Sequence, residues 1–407
     1  MSRLGNSLGG SPSRWFVSTR GFSSVLALLL ALTYTKLLGL EKRSVLAFIM
    51  VSALILTILL TSGLSLALRN KPRSAIKDEE FIGYIVLIFG ASILVGSINC
   101  VLLSVYSNIK AEIPLPIFIV CFVYSSLACF TLGLQDALLA NSNLKIATIF
   151  DVITILIQII TLLFLANISQ TSLIISIFIS FIFAYSLISF ASLTIFLINT
   201  PIEKSLLIGG MQSILTESKS HQFFAVANGL VDRVDRFVIG LILPIAYLAK
   251  YALLSSIVSF ARFLPDSAIK LYLFKHHQSE ERFRIDYSIR TVGFIAICGV
   301  LFVVISQAFI LVAFGSDWLL PTSVGALLVV QEILRGNYQL SAMRLIAAGK
   351  TSEVSRISGV LIFTSISLIV MAVHVIGVWG APSAMVVTYL ITTVLVEKKL
   401  KEISNDN

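Results

Sequence analysis

Ser172-Leu-Ile-Ile-Ser-Ile-Phe-Ile-Ser-Phe-Ile-Phe-Ala-Tyr-Ser-Leu-Ile-Ser-Phe-Ala-Ser-Leu-Thr-Ile-Phe-Leu-Ile198 contains no charged side chain, no proline and no glycine. A helix of about 20 apolar residues crosses a hydrocarbon layer about 30 Å thick. A helix of a water-soluble protein would be apolar on one side only, whereas here apolar residues occupy every side. In lipid the backbone N–H and C=O groups must be satisfied within the segment, so such a run has to be helical.

Runs of the same kind extend outward in both directions. Spans are expected near 21–40, 44–68, 81–107, 116–140, 146–166 and 172–198, then near 223–244, 249–274, 292–314, 321–346, 355–377 and 380–397. The composition agrees. Of 407 residues 57% are hydrophobic and 13% charged, with a mean hydropathy of +0.97; soluble domains carry about 25% charged residues. The Gly/Ser-rich start from Met1 to Arg20 runs into an apolar stretch reaching Leu40 with no small-x-small cleavage site, so it reads as an uncleaved first span. Cys100, Cys121, Cys129 and Cys298 are scattered through apolar runs and read as small packing residues.

The net charge of +9 is distributed as a topology signal. With a cytoplasmic N-terminus, most of the 30 lysines and arginines fall on the cytoplasmic side. Lys36, Lys42, Arg43, Lys110 and Lys250 fall outside, and Arg233, Arg236, Arg262 and Arg335 lie within spans. Both termini are therefore expected in the cytoplasm. No basic stripe interleaved with aromatics lies on a soluble segment, so nucleic acid is not an expected partner.

The two halves look related. Leu134-Gln-Asp-Ala-Leu-Leu-Ala-Asn-Ser-Asn-Leu-Lys145 joins spans four and five, and Leu340-Ser-Ala-Met-Arg-Leu-Ile-Ala-Ala-Gly-Lys350 joins spans ten and eleven. Each follows a span opened by a proline, Pro116 or Pro321. The expected fold is all-α and integral to the membrane: about twelve spans in two six-helix bundles, 1–200 and 223–407, with 201–222 as a cytoplasmic linker made flexible by Gly209-Gly210.

Ionisable groups in lipid cost about 3 kcal/mol each on insertion scales and normally face a cavity or one another. At 100° per residue, Asn228, Gly229, Asp232, Asp235, Arg236, Ile239 and Gly240 share one face of span seven, flanked by Arg233. Tyr251, Ser255, Ser259, Arg262, Asp266 and Lys270 line span eight, with Pro265 beside them. Gln331, Glu332, Arg335, Gly336 and Gln339 lie on one side of span ten. Three helices of one half thus present polar, arginine-bearing faces that would converge on a hydrated cavity. Asp232/Arg236 and Arg262/Asp266 stand at i,i+4 and could neutralise one another internally; Arg233 and Arg335 have no such local partner. On the first half, Asp151, Thr154, Gln158 and Thr161 form a stripe on span five, Gln135 and Asp136 end span four, and Tyr34 and Lys36 read as interface anchors. His276-His277 sits in a charged loop.

Val234-Asp-Arg-Phe-Val-Ile-Gly-Leu-Ile-Leu243, followed by Lys250-Tyr-Ala-Leu-Leu-Ser-Ser-Ile-Val-Ser-Phe-Ala-Arg262, resembles the Wzx-type oligosaccharide flippases of the multidrug/oligosaccharidyl-lipid/polysaccharide (MOP) superfamily. Phe314-Gly-Ser-Asp-Trp318 is similar to that family's turn before span ten, Ala348-Gly-Lys350 to its turn before span eleven, and Arg20 and Leu37-Leu-Gly-Leu-Glu41 also fit. The family's usual tyrosine-glycine after the first loop is replaced by Arg43-Ser-Val45.

The resemblance implies a MATE-like fold in the bacterial inner membrane. It also implies outward translocation of an undecaprenyl-diphosphate-linked oligosaccharide that feeds O-antigen or capsule synthesis, with a polysaccharide polymerase and chain-length regulator as partners. Arg233, Arg236, Arg262 and Arg335 would hold the diphosphate or an acidic sugar. Gln331, Gln339 and Asn228 suit sugar hydroxyls, and the polyprenyl tail stays in membrane lipid. Asp232, Asp235, Glu332 and Asp151 are candidates for H+ or Na+ coupling. No nucleophile–base or metal-ligand constellation occurs, so neither an enzyme nor a cofactor is expected. A drug exporter of the same superfamily is the alternative, though it would call for an acidic, aromatic pocket. A membrane glycosyltransferase would call for large outward loops.

Overall fold

The computed structural model describes residues 12–69, 78–110, 113–140, 144–168, 172–199, 207–258, 303–347 and 350–405. Every regular element among them is helical. In chain order these are α1 (Pro12–Arg69), α2 (Asp78–Lys110), α3 (Leu115–Ala140), α4 (Leu144–Ile168), α5 (Leu173–Asn199), α6 (Leu207–Ile242) and α7 (Ile245–Val258). They are followed by α8 (Val303–Phe314), then α9 (Thr322–Ala347), α10 (Thr351–Ile376) and α11 (Gly380–Asn405). Pro116 falls in the first turn of α3, where its missing N–H removes no helix bond. Pro321 stands just before α9, and its carbonyl accepts from the Val324 N–H at 2.9 Å.

Six described segments are long and apolar enough to cross a bilayer. Two of them, Ser18–Arg69 and Ser352–Glu402, have 52 and 51 residues, more than twice the length one crossing needs. Each is interrupted. In α1 the interruption is Gly39, at φ 71°, which only glycine adopts readily. In an unbroken helix Tyr34 and Arg43 would stand about 13 Å apart along the axis. Instead the Arg43 guanidinium lies 4.7 Å from the Tyr34 ring centre, and its Nε donates to Thr35 Oγ1 at 3.0 Å. The chain therefore folds back at Gly39 with no intervening loop. The second break follows α10, where Gly377 has φ 63° and a 3-10 turn over Gly377–Trp379 leads into α11. Trp379 Nε1 donates to Ser323 Oγ at 2.8 Å, which ties this turn to the start of α9. The chain is a multi-pass membrane protein.

These contacts correct two expectations. Tyr34 is buried rather than an interface anchor, and Arg43, expected in an outer loop, is 3% exposed. The tight reversal at Gly39 turns both side chains inward, where cation and ring cover each other.

α6 occupies the middle of the fold. It runs antiparallel to the second limb of α1: Gln222 Nε2 donates to the Leu59 carbonyl at 2.8 Å, Phe48 stacks on Phe237 at 5.6 Å, and Ser44 Oγ donates to the Ile245 carbonyl just beyond its end. It also packs on α2 and α10. At 36 residues α6 is about 54 Å long, more than the hydrocarbon thickness. Its first turns include Gly209 and Gly210, so from residue 207 the expected linker is helix. Gly210 serves close approach. A Cβ on Gly83 would lie 2.6 Å from the Met211 backbone nitrogen, and one on Gly210 would collide with the Glu79 carbonyl. Ser213 Oγ donates to Glu80 Oε1 at 2.7 Å beside this crossing.

Gly83→Val should therefore force α2 and α6 apart and destabilise the protein by about 1–3 kcal/mol. Thermal unfolding in detergent would register this as a lowered midpoint, and an unchanged midpoint would show that the crossing yields.

Candidate functional site

The polar faces expected on spans seven and ten do meet. Arg335 on α9 pairs through Nε with Asp232 Oδ1 on α6 at 2.5 Å, and through Nη1 with Glu332 Oε2 at 3.5 Å. Arg335 is 5% and Asp232 6% exposed. Tyr389, from α11, donates to Asp232 Oδ1 at 3.4 Å, and its ring lies 6.1 Å from that of Tyr338 on α9. The anticipated Asp232/Arg236 helix pair is thus displaced by a contact between helices, since Asp232 faces α9 and α11.

One turn further on, Asp235 is 2% exposed. Its Oδ2 accepts from the Tyr251 hydroxyl at 2.8 Å and its Oδ1 from the Arg236 backbone N–H at 2.7 Å, so α7 is pinned to α6 here. Arg236 is half-buried, and its Nε is enclosed without a hydrogen-bond acceptor. Arg233 is half-buried on the same helix. Gln331 and Gln339 are buried on α9, each with its Oε1 lacking a hydrogen-bond donor. A buried acceptor left in this way costs about 1–3 kcal/mol, so these two amides are suited to a ligand's hydroxyl groups.

Not every expected residue joins the cluster. Asp151 lies on α4 in the other half, where it is ion-paired with Arg20 of α1. Asp136 pairs with Arg69 at 3.3 Å. The Asn228 side chain, Arg262, Asp266, Cys298 and His276-His277 lie outside the described residues. Arg43 is the residue that sequence reasoning missed. It sits at the α1 reversal, within electrostatic reach of Arg236, and Tyr34 connects it to the aromatic group of Phe181, Tyr124 and Tyr185 in the first half. Its sequence neighbours Glu41 and Lys42 look like ordinary loop charges, so no local signal marked it.

The interior therefore offers guanidinium groups from α1, α6 and α9, and buried amides on α9, inside an apolar helical shell. No protein-family model and no curated protein sequence matches the chain. Solved structures do. The lipid II flippase MurJ, in an inward closed conformation, matches with a TM-score of 0.70 at 14% identity, over 95% of this chain and 87% of that one. The MATE transporter VcmN of Vibrio cholerae matches with a TM-score of 0.65 at 15% identity, over 96% of each chain. The fold is that of MATE and MurJ. A MOP superfamily transporter from Pyrococcus furiosus, described as having a binding pocket of reverse polarity, shares it with a TM-score of 0.54 at 13% identity over 97% of each chain. The MATE-like fold expected from the sequence is thus found.

Within this MATE-like fold the Asp232–Arg335 pair ties α6 to α9, and removing one partner of a buried pair costs about 3–5 kcal/mol. Arg335→Gln should lose stability on that scale. Asp232→Asn added to it should recover part of the loss, because one of the two carboxylates that face Arg335 is then neutral and only Glu332 is left without it. Thermal unfolding of the two single variants and the double variant checks this; strictly additive losses would mean that the two groups do not depend on each other.

Proposed function

We propose that the protein is a flippase that moves a diphosphate-linked oligosaccharide, carried on undecaprenol, from the inner to the outer leaflet of a bacterial plasma membrane. The observation that carries this reading is the enclosed face of α6 and α9. There Arg236 of α6 stands without a carboxylate partner among the described residues, and α9, tied to α6 by Arg335, carries two buried amides with unused acceptors. Arginine forks bind diphosphate oxygens bidentately and more strongly in a low-dielectric interior than in water. Gln331 and Gln339 accept from sugar hydroxyls, and the polyprenyl chain stays in lipid. The fold shared with the lipid II flippase MurJ supports a carrier whose two halves rock about a central site.

Asp232 and Arg335 supply a coupling step. While Asp232 is ionised it holds Arg335. Uptake of a proton or sodium ion by Asp232 weakens that pair and leaves the Nε side of the guanidinium, still met by Glu332 at Nη1, able to bind the anion. Movement of an anion toward the positive side of the membrane is itself favoured, by about 2.3 kcal/mol per charge per 100 mV.

Deletion should leave undecaprenyl-linked repeat units in the membrane and remove surface glycan. Arg236→Ala should reproduce both effects at a normal membrane level, since Arg236 supports no ion pair among the described residues. Lipid extraction with glycan staining measures this. A strain with intact glycan but raised drug sensitivity would identify a drug exporter instead.

A further inference from the structure

We propose that Arg43 and Arg236 together form a second anion subsite, for a phosphate or diphosphate group, at the end of the bundle where α1 reverses at Gly39. It is separate from the Asp232–Arg335 pair and rests on the flippase reading only for the identity of the carrier bearing the anion.

The two arginines come from different elements and are held together by the packing around them. Ser44, next to Arg43, donates to the Ile245 carbonyl at 2.5 Å. Phe48, one turn further, stacks on Phe237, next to Arg236, at 5.6 Å. Residue 43 is thereby fixed against the last turns of α6. Arg43 itself is almost fully buried, with its plane over Tyr34 and its Nε on Thr35. Those contacts orient the fork, and among the described residues its two Nη groups have no acceptor. Arg236 contributes an enclosed Nε that also lacks one.

The carboxylates nearby do not neutralise them. Asp235 is committed to Tyr251 and to the Arg236 backbone. Glu41 is exposed at the rim, and neither Arg43 nor Arg236 makes an ion pair with a carboxylate among the described residues. Two guanidinium groups enclosed within reach of each other repel, and a divalent anion between them removes that repulsion while satisfying their unused N–H groups. Planar forks from two directions match the oxygens of a phosphate or diphosphate. Exposed Lys36 and Lys42, with Lys250 beside the Tyr247 ring at 5.9 Å, place further positive charge at the same end, which raises the local concentration of anions. In a flippase cycle this is a station for the headgroup after it leaves Arg335.

The test uses the full chain in lipid nanodiscs, with two probes: free inorganic diphosphate, and a polyprenyl diphosphate incorporated in the disc. Calorimetry or thermal-shift titration reads the affinity. Arg43→Gln and Arg236→Gln should each weaken diphosphate binding about tenfold or more, and the double variant little further, because the groups grip one anion. Arg43→Lys, which keeps the charge but not the fork, should fall between wild type and Arg43→Gln. Binding of the lipid-borne probe assigns the subsite to a lipid headgroup; binding of the free probe alone assigns it to soluble phosphate compounds. Absence of binding to wild type overturns the proposal, as does equal affinity in Arg43→Gln and Arg236→Gln chains whose unfolding midpoints match wild type. If Arg43→Gln does not fold, Arg236→Gln and Arg43→Lys decide alone. Arg43-dependent binding together with normal surface glycan in a deletion strain would keep the subsite and discard the flippase. Glycan loss on deletion with wild-type affinity in both Gln variants would do the reverse.

Discussion

A buried guanidinium in a membrane-spanning bundle has to be met by a carboxylate, by hydrogen-bond acceptors or by a ligand, because lipid offers none of these. The Asp232–Arg335 pair is where this requirement shapes the molecule most directly. It links α6 to α9 through side chains, brings the Tyr389 hydroxyl of α11 to the same oxygen, and lies one turn from Asp235, which reaches Tyr251 on α7. Four helices of the second half are thus registered by one short run of α6. The cost of dehydrating two ions makes such a pair a poor source of net stability. Its value lies in setting which faces meet.

The same helix joins the halves. Its long apolar contact with the second limb of α1, and the glycine crossing with α2, attach it to the first half. Its charges, together with its packing on α10, attach it to the second.

Arginine is used in three different ways across the interior. Arg335 is held between two carboxylates, Arg20 is paired with Asp151 in the first half, and Arg43 is covered by a tyrosine ring and oriented by a threonine. The first two are met by carboxylates where they stand. Arg43 and its neighbour Arg236 make no ion pair among the described residues, and the proposed anion subsite rests on that imbalance. The reversal at Gly39 creates it, since a loop of ordinary length between the two limbs would have left Arg43 in water.

Local chemistry alone determined a good deal. Uncharged stretches such as Ser172–Ile198 admit only helix in lipid, the prolines at 116 and 321 mark helix starts, and the spacing of Asp232, Asp235, Arg236, Gln331 and Arg335 assigns them to inward faces. Those conclusions depend on periodicity and backbone satisfaction, which are properties of a single segment. Tertiary structure decided which charge meets which. Asp232 had a suitable arginine four residues away and took one from another helix. Arg43 had the sequence setting of a loop and became buried. Gly209-Gly210 had the composition of a linker and became a close helix crossing. In each case the deciding energy comes from a neighbouring element: an opposing charge across a dry interface, a ring at the right height, or a backbone near enough to exclude a methyl group. No reading of one helix at a time contains those neighbours.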